Sequence, residues 1–166
     1  MATGCAERTI QKVIEMYRPK SVLDLGCGVG KAVDSFYSKG IDAMGIEGSK
    51  MLIKMASNPQ LIRKYNLEKE LKLNKKFDLI WSHEFIEHIH PKYINNLLKT
   101  FSNHSDIIIM TAAKPGQGGE GHFNEQSSEY WINQFRKYGY TYNHQKTDEL
   151  RKIREKNNEN LLVLER

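Results

Sequence analysis

Apolar residues open the chain at helical spacing. Ile10, Val13, Ile14 and Tyr17 share one face, and Pro19 stops the run, which predicts a helix over 6–18. The pattern then shortens. "SVLDLGCG" (21–28) is an apolar run ending in glycines, the signature of a buried strand. Residues 30–39 read as a helix ended by Gly40, "DAMGIEG" (42–48) as a second strand, and "SKMLIKMAS" as a helix with Ser49 at its N-cap. "LIRKYNL" (61–67) predicts a third strand, "FDLIWS" (77–82) a fourth, and 84–101 a helix. "DIIIMTAA" (106–113) is the most apolar strand. A glycine-rich loop at 115–121 leads into a helix from Ser127 to Tyr138, and "YTYNHQK" and "NLLVLER" read as closing strands. Strands alternating with helices predict an α/β fold, a mostly parallel sheet with helices on both faces. In such sheets ligands bind at the carboxyl ends of strands. Every unusual motif in this chain falls at such an end.

The length of 166 residues suits one domain spanning 1–166. No apolar run approaches the ~20 residues of a membrane span, and the N-terminus lacks the apolar core of a secretory signal. Two cysteines, Cys5 and Cys27, cannot build a disulfide framework, so a reducing, cytoplasmic location is expected. The formal charge of +5 raises the question of a polyanionic partner. Part of it comes from "ELRKIREK" (149–156), where acids intersperse the bases and no aromatic residue interleaves. A solvated helix face explains that stretch better than a single-strand binding surface.

In "VLDLGCGVGKA" a strand enters Gly26, Gly28 and Gly30, then a helix follows. Glycines let a backbone turn sharply and approach a ligand closely. The dinucleotide fingerprint G-x-G-x-x-G requires a third glycine where Lys31 stands. The loop is therefore expected to wrap an amino-acid moiety rather than a pyrophosphate, with Asp24 meeting an ammonium group. Glu47 closes the second strand, where a carboxylate can accept hydrogen bonds from both hydroxyls of a ribose, and Gly48 lets the chain turn after it.

"VLDLGCGVG" followed by "GIEGS" resembles the first two motifs of the class I S-adenosylmethionine-dependent methyltransferases. "FDLIWSHEFIEHI" resembles the fourth motif and following segment of their small, type 11 members. The resemblance covers about 20–112. It implies a Rossmann-like, seven-stranded sheet with the last strand antiparallel, and S-adenosylmethionine as cofactor. It further implies that Gly26, Cys27, Gly28 and Gly30 surround the methionine part and that Glu47 holds the ribose. Asn66 and Leu67 fall beside the adenine, and Ser82 and His83 line the methionine side.

"WSHEFIEHIHP" also invites a zinc reading, and its spacing argues against one. In H-E-x-x-H two histidines lie four apart; here Glu87 stands in the second position. On a helix His83 and His88 would point about 140° apart. No metal is expected. Glu84 and Glu87 are instead expected at the rim, near the methyl acceptor. The second dense loop, "KPGQGGEGHFNEQSSEYW", follows the fifth strand. His122 in it is the first candidate for a general base, with Glu84 and Glu87 as alternatives. No "N-P-P-Y" motif for amino-group methylation of bases follows the fourth strand, and no cysteine is placed for carbon methylation. The expected acceptor is a small molecule or carbohydrate methylated at oxygen. RNA is the alternative acceptor, and a non-catalytic binding module the alternative role.

Overall fold

The computed structural model describes residues 6–166; Cys5 lies outside the described residues. The helix α1 (Glu7–Tyr17) precedes strand β1 (Ser21–Leu25), α2 (Lys31–Ser38) and β2 (Asp42–Glu47). Then come α3 (Lys50–Met55), β3 (Ile62–Lys64), β4 (Leu79–Ser82), α4 (Ile94–His104) and β5 (Ile107–Met110). The chain closes with α5 (Ser128–Arg136), β6 (Thr141–Tyr142), α6 (His144–Arg151) and β7 (Leu162–Glu165). The sheet runs β3-β2-β1-β4-β5-β7-β6. The first five strands are parallel, while β7 is antiparallel to both β5 and β6. This is the expected Rossmann-like, seven-stranded arrangement.

Strand periodicity explains the two-sided core. Leu23 and Leu25, Ile80, Ile108 and Met110, and Leu162 and Leu164 pack into one apolar cluster with α4 and α5. The intervening Val22, Leu79, Trp81, Ile109 and Val163 pack into another with α1 and α2. Successive side chains point to opposite faces, so both faces are buried and the strands read as unbroken apolar runs. Asp24, between Leu23 and Leu25, is thereby turned to the α1–α2 side.

Three expectations fail in detail, the first being the third strand, expected over 61–67, which spans only Ile62–Lys64. The helix predicted over 84–101 begins at Ile94; two short 3-10 turns, Ile86–His88 and Pro91–Tyr93, replace its first part. Pro91 is the cause. Its ring disfavours a helical residue before it, and His90 is extended (φ −58°, ψ 136°). The strand predicted over 140–146 stops at Tyr142, because the Asn143 side chain accepts from the Lys146 amide and caps α6. The N-cap at Ser49 is as expected, and Ser127 caps α5 in the same way.

Candidate active site

The glycine loop leaves β1 in a left-handed conformation. Gly26, Gly28 and Gly30 have φ of 76°, 57° and 77°, a region that costs other residues about 1–2 kcal/mol. At Gly28 no atom lies within 4 Å of where a Cβ would stand, so the backbone is open to a ligand. At Gly26 the Phe85 ring takes that place. The Gly28 amide donates to Glu47 Oε2 at 2.9 Å, and the Ser49 amide to Oε1 at 2.7 Å. Glu47 is thus held rigidly at the carboxyl end of β2, and each oxygen keeps a further lone pair. Gly48 carries the turn behind it. The Cys27 thiol packs against Gly45, where a Cβ would lie 2.5 Å from its Sγ; burial raises its pKa and keeps it protonated.

A cleft of about 540 Å³ opens beside this loop, lined by Asp24, Gly26, Cys27, Gly28, His83, Glu84, His88 and His122, among others. Burial, with a smaller contribution from Glu47, pushes the Asp24 carboxyl up to about 8. A cationic group placed there would reverse that shift. His83 stacks on Trp81 with ring centroids 6.0 Å apart, and burial lowers its pKa. These residues fit a ligand with an ammonium group and a ribose.

Three expected cofactor residues make contacts within the fold. Ser82 is buried and donates to the Leu25 carbonyl at 2.9 Å, stitching β4 to β1. Leu67 is packed in the core. Asn66 is exposed, and its Oδ1 accepts from the Glu68 amide, which ends the extended segment after β3. None of the three lines the cleft; Gly30, Glu47 and Gly48 do not line it either, and Glu47 reaches it only through its bond to the Gly28 amide.

The segment after β4 and the glycine-rich loop are strapped together. Glu84 has φ 50°, its amide donates to Thr111 Oγ1, and its Oε2 accepts from Gln117. The Phe123 and Asn124 amides both donate to the Glu87 carbonyl at 3.0 Å. Glu125 accepts from the Gly116 and Gly118 amides and bonds His122 Nδ1 at 2.8 Å. His122, foremost, holds the Glu125 carboxyl below its ordinary range. His88 Nδ1 meets the Gly121 carbonyl at 3.1 Å, and its ring lies 4.8 Å from that of His122. Glu87 is fully buried, and neither of its oxygens has a hydrogen-bond partner. Burial first, then Glu84, raises its pKa to about 7.

The helical geometry used to separate His83 from His88 therefore does not exist. What the fold brings together is Glu87, His88 and His122, with Glu84 beside Glu87. The sequence pattern gave His88 no role beyond the rejected zinc spacing, and nothing in it pointed to Lys156 and Asn157, which line the cleft from the loop before β7. No local motif marks those two; only the return of β7 beside β5 brings them there.

A sequence-family description, "Methyltransferase domain", matches residues 6–145. The chain belongs to the class I S-adenosylmethionine-dependent methyltransferases. This methyltransferase uses S-adenosylmethionine as cofactor. Among solved structures it is similar to the methyltransferase domain of bacterial CtHen1: TM-score 0.67, 19% identity, 82% of this chain and 86% of that one. It also resembles a SAM-dependent methyltransferase from Archaeoglobus fulgidus: TM-score 0.67, 18% identity, 81% of this chain and 67% of that one. The YcgJ protein of Bacillus subtilis gives a TM-score of 0.64 at 16% identity, over 82% of this chain and 69% of that one. In all, 723 chains of known structure are similar, so likeness of fold does not choose an acceptor. A search of curated protein sequences finds no match. No described helix is long and apolar enough to cross a membrane.

Proposed function

We propose that this methyltransferase, acting as one domain over 1–166 in the cytoplasm, methylates an oxygen of a small-molecule or carbohydrate acceptor. The observation that carries this reading is the His122–Glu125 pair at the cofactor cleft. A carboxylate only accepts, so Nδ1–H donates to Glu125 and Nε2 keeps its lone pair. This is the arrangement of an oriented base.

Gly26, Cys27, Gly28 and Gly30 surround the methionine part, Asp24 faces its ammonium and Glu47 takes the ribose. His83 closes the methionine side. When bound, the cofactor offers a methyl carbon on a positive sulfur: an acceptor lone pair forms the new C–O bond as the C–S pair returns to sulfur. The chain's task is alignment and proton removal. His122 and Glu84, which line the cleft, draw the acceptor hydroxyl into line and activate it, and Glu87, buried behind them, acts on it through Glu84 and His122. A cleft of about 540 Å³ is within the range of small-ligand sites, which supports a compact acceptor over a nucleic-acid groove.

The test is an acceptor screen with methyl-labelled cofactor across sugars, small hydroxylated metabolites and RNA. Label in a small hydroxyl compound is the expected result. Label only in RNA, with activity falling steeply as salt rises, would replace this reading with the RNA one.

A further inference from the structure

We propose that Glu87, His88 and His122 form a binding site for one divalent transition-metal ion, placed to acidify the acceptor hydroxyl. Each offers one donor atom, and these atoms all lie within 4.8 Å of one another. The inference deepens the O-methylation reading and rests on it only for the role of the ion, not for its binding.

Two independent features point to a cation. The first is the state of Glu87. Its side chain is fully buried, and neither carboxylate oxygen has a partner in hydrogen-bonding geometry; the Glu87 and Ala113 amides lie near enough only to offset part of the cost of burial. A buried charge without a partner is costly, and such groups in proteins are usually paired or coordinate metals. Glu84 Oε1 is likewise buried and unpartnered. Glu84 also acts on Glu87 as a like charge. His122 offsets this repulsion only in part, and a cation between the two carboxylates would relieve it.

The second feature is the orientation of the imidazoles. His88 Nδ1 faces the Gly121 carbonyl, which can only accept, so that nitrogen carries the proton. His122 Nδ1 faces Glu125 in the same way. In its neutral form each ring is thereby held as the tautomer with a free Nε2 lone pair. Metal-bound histidines almost always donate their other N–H to a carbonyl or carboxylate, which sets the ring and raises its basicity. Here that outer layer is already in place. Gly119 makes the room: a Cβ there would lie 2.5 Å from His122 Nε2.

The donor set selects the ion. Mg²⁺ and Ca²⁺ take oxygen ligands, whereas two imidazoles with carboxylate suit Mn²⁺, Co²⁺, Fe²⁺ or Zn²⁺. Donors around an ion at about 2.1 Å lie about 3 Å apart, so the three groups must draw in on binding. His88 is exposed and has space to do so. Three protein ligands leave coordination positions open toward the cleft. A hydroxyl bound there would have its pKa lowered, as metal-bound water does, and its proton would leave to water before the oxygen attacks; with the ion bound, His122 acts on the hydroxyl through the ion and no longer as the free base.

The test uses the full chain, freed of metal by chelation and dialysis, without cofactor or acceptor. Mn²⁺ is titrated and the free-ion electron paramagnetic resonance signal recorded; Co²⁺ absorption reports nitrogen ligation. One Mn²⁺ per chain is expected, weakened at least tenfold in His88→Ala, His122→Ala and Glu87→Gln, with Mg²⁺ a poor competitor. His88→Ala is the decisive variant, since its exposed site leaves folding intact, which circular dichroism checks. No binding up to millimolar Mn²⁺, or binding indifferent to His88→Ala, overturns the proposal. Methylation of a hydroxyl unaffected by chelation overturns the proposed role of the ion and leaves O-methylation standing. Stoichiometric Mn²⁺ at this site in a protein that methylates no hydroxyl sustains the site and defeats O-methylation.

Discussion

Asp24 shows how one residue trades stability for binding. Its carboxyl is raised from 3.8 to about 8, by burial first and Glu47 second. The folded chain therefore keeps a proton that the unfolded chain loses above about pH 4. The stability from this group is complete below that pH and is lost as pH rises to 8. We expect Asp24→Asn to flatten this part of the pH–stability curve. It should stabilise the cofactor-free protein at pH 8 by a few kcal/mol at most, at about 1.4 kcal/mol per pKa unit, while weakening cofactor binding. Denaturant titrations of both proteins at pH 5 and pH 8 check this; equal slopes would refute it. At Gly26, an alanine Cβ would lie 2.0 Å from the Phe85 ring with φ at 76°. Gly26→Ala should cost on the order of 2–4 kcal/mol, read as a lowered denaturation midpoint. Both residues were legible in the sequence, because a strand ending D-x-G-x-G-x-G has one geometric use. His88 was not, because its partner His122 lies far along the chain and its own tautomer is set by a backbone carbonyl.

Among elements, the parallel strands were read well. Buried strands need continuous apolar runs, and β1, β4 and β5 supply them. The segment after β4 was misread, since its apolar spacing fits a helix and only Pro91 forbids one. That failure mattered: the non-helical path presents Glu84, Glu87 and His88 to the glycine-rich loop. The third strand was expected to run to Leu67, but β3 is short and an Asn-centred turn at Asn66 ends the extended chain. The loop over 115–126 is held chiefly through Glu125, which gathers two glycine amides and His122. Glu125→Gln should loosen it. Faster hydrogen exchange over 115–122 is expected, with turnover reduced about 10- to 100-fold by misplacement of His122 and an unchanged melting temperature. Slowed turnover without faster exchange would mean that Glu125 acts otherwise than as a tether.

At the scale of the molecule, every group assigned to binding or chemistry sits at the carboxyl end of the parallel strands. The α/β pattern made that edge legible, because a parallel sheet directs its strand-to-helix loops there. The contribution of Lys156 and Asn157 was not legible, since it depends on β7 running antiparallel between β5 and β6. The account stands on that edge binding S-adenosylmethionine through the Gly26–Gly30 loop and Glu47. Isothermal titration with S-adenosylmethionine tests it most directly. One site per chain is predicted. Glu47→Ala removes the ribose acceptor and the anchor for the Gly28 and Ser49 amides. It should raise Kd about 10- to 100-fold, or about 1.4–2.8 kcal/mol. No binding by the native protein, or a Kd unmoved by Glu47→Ala, would contradict the account.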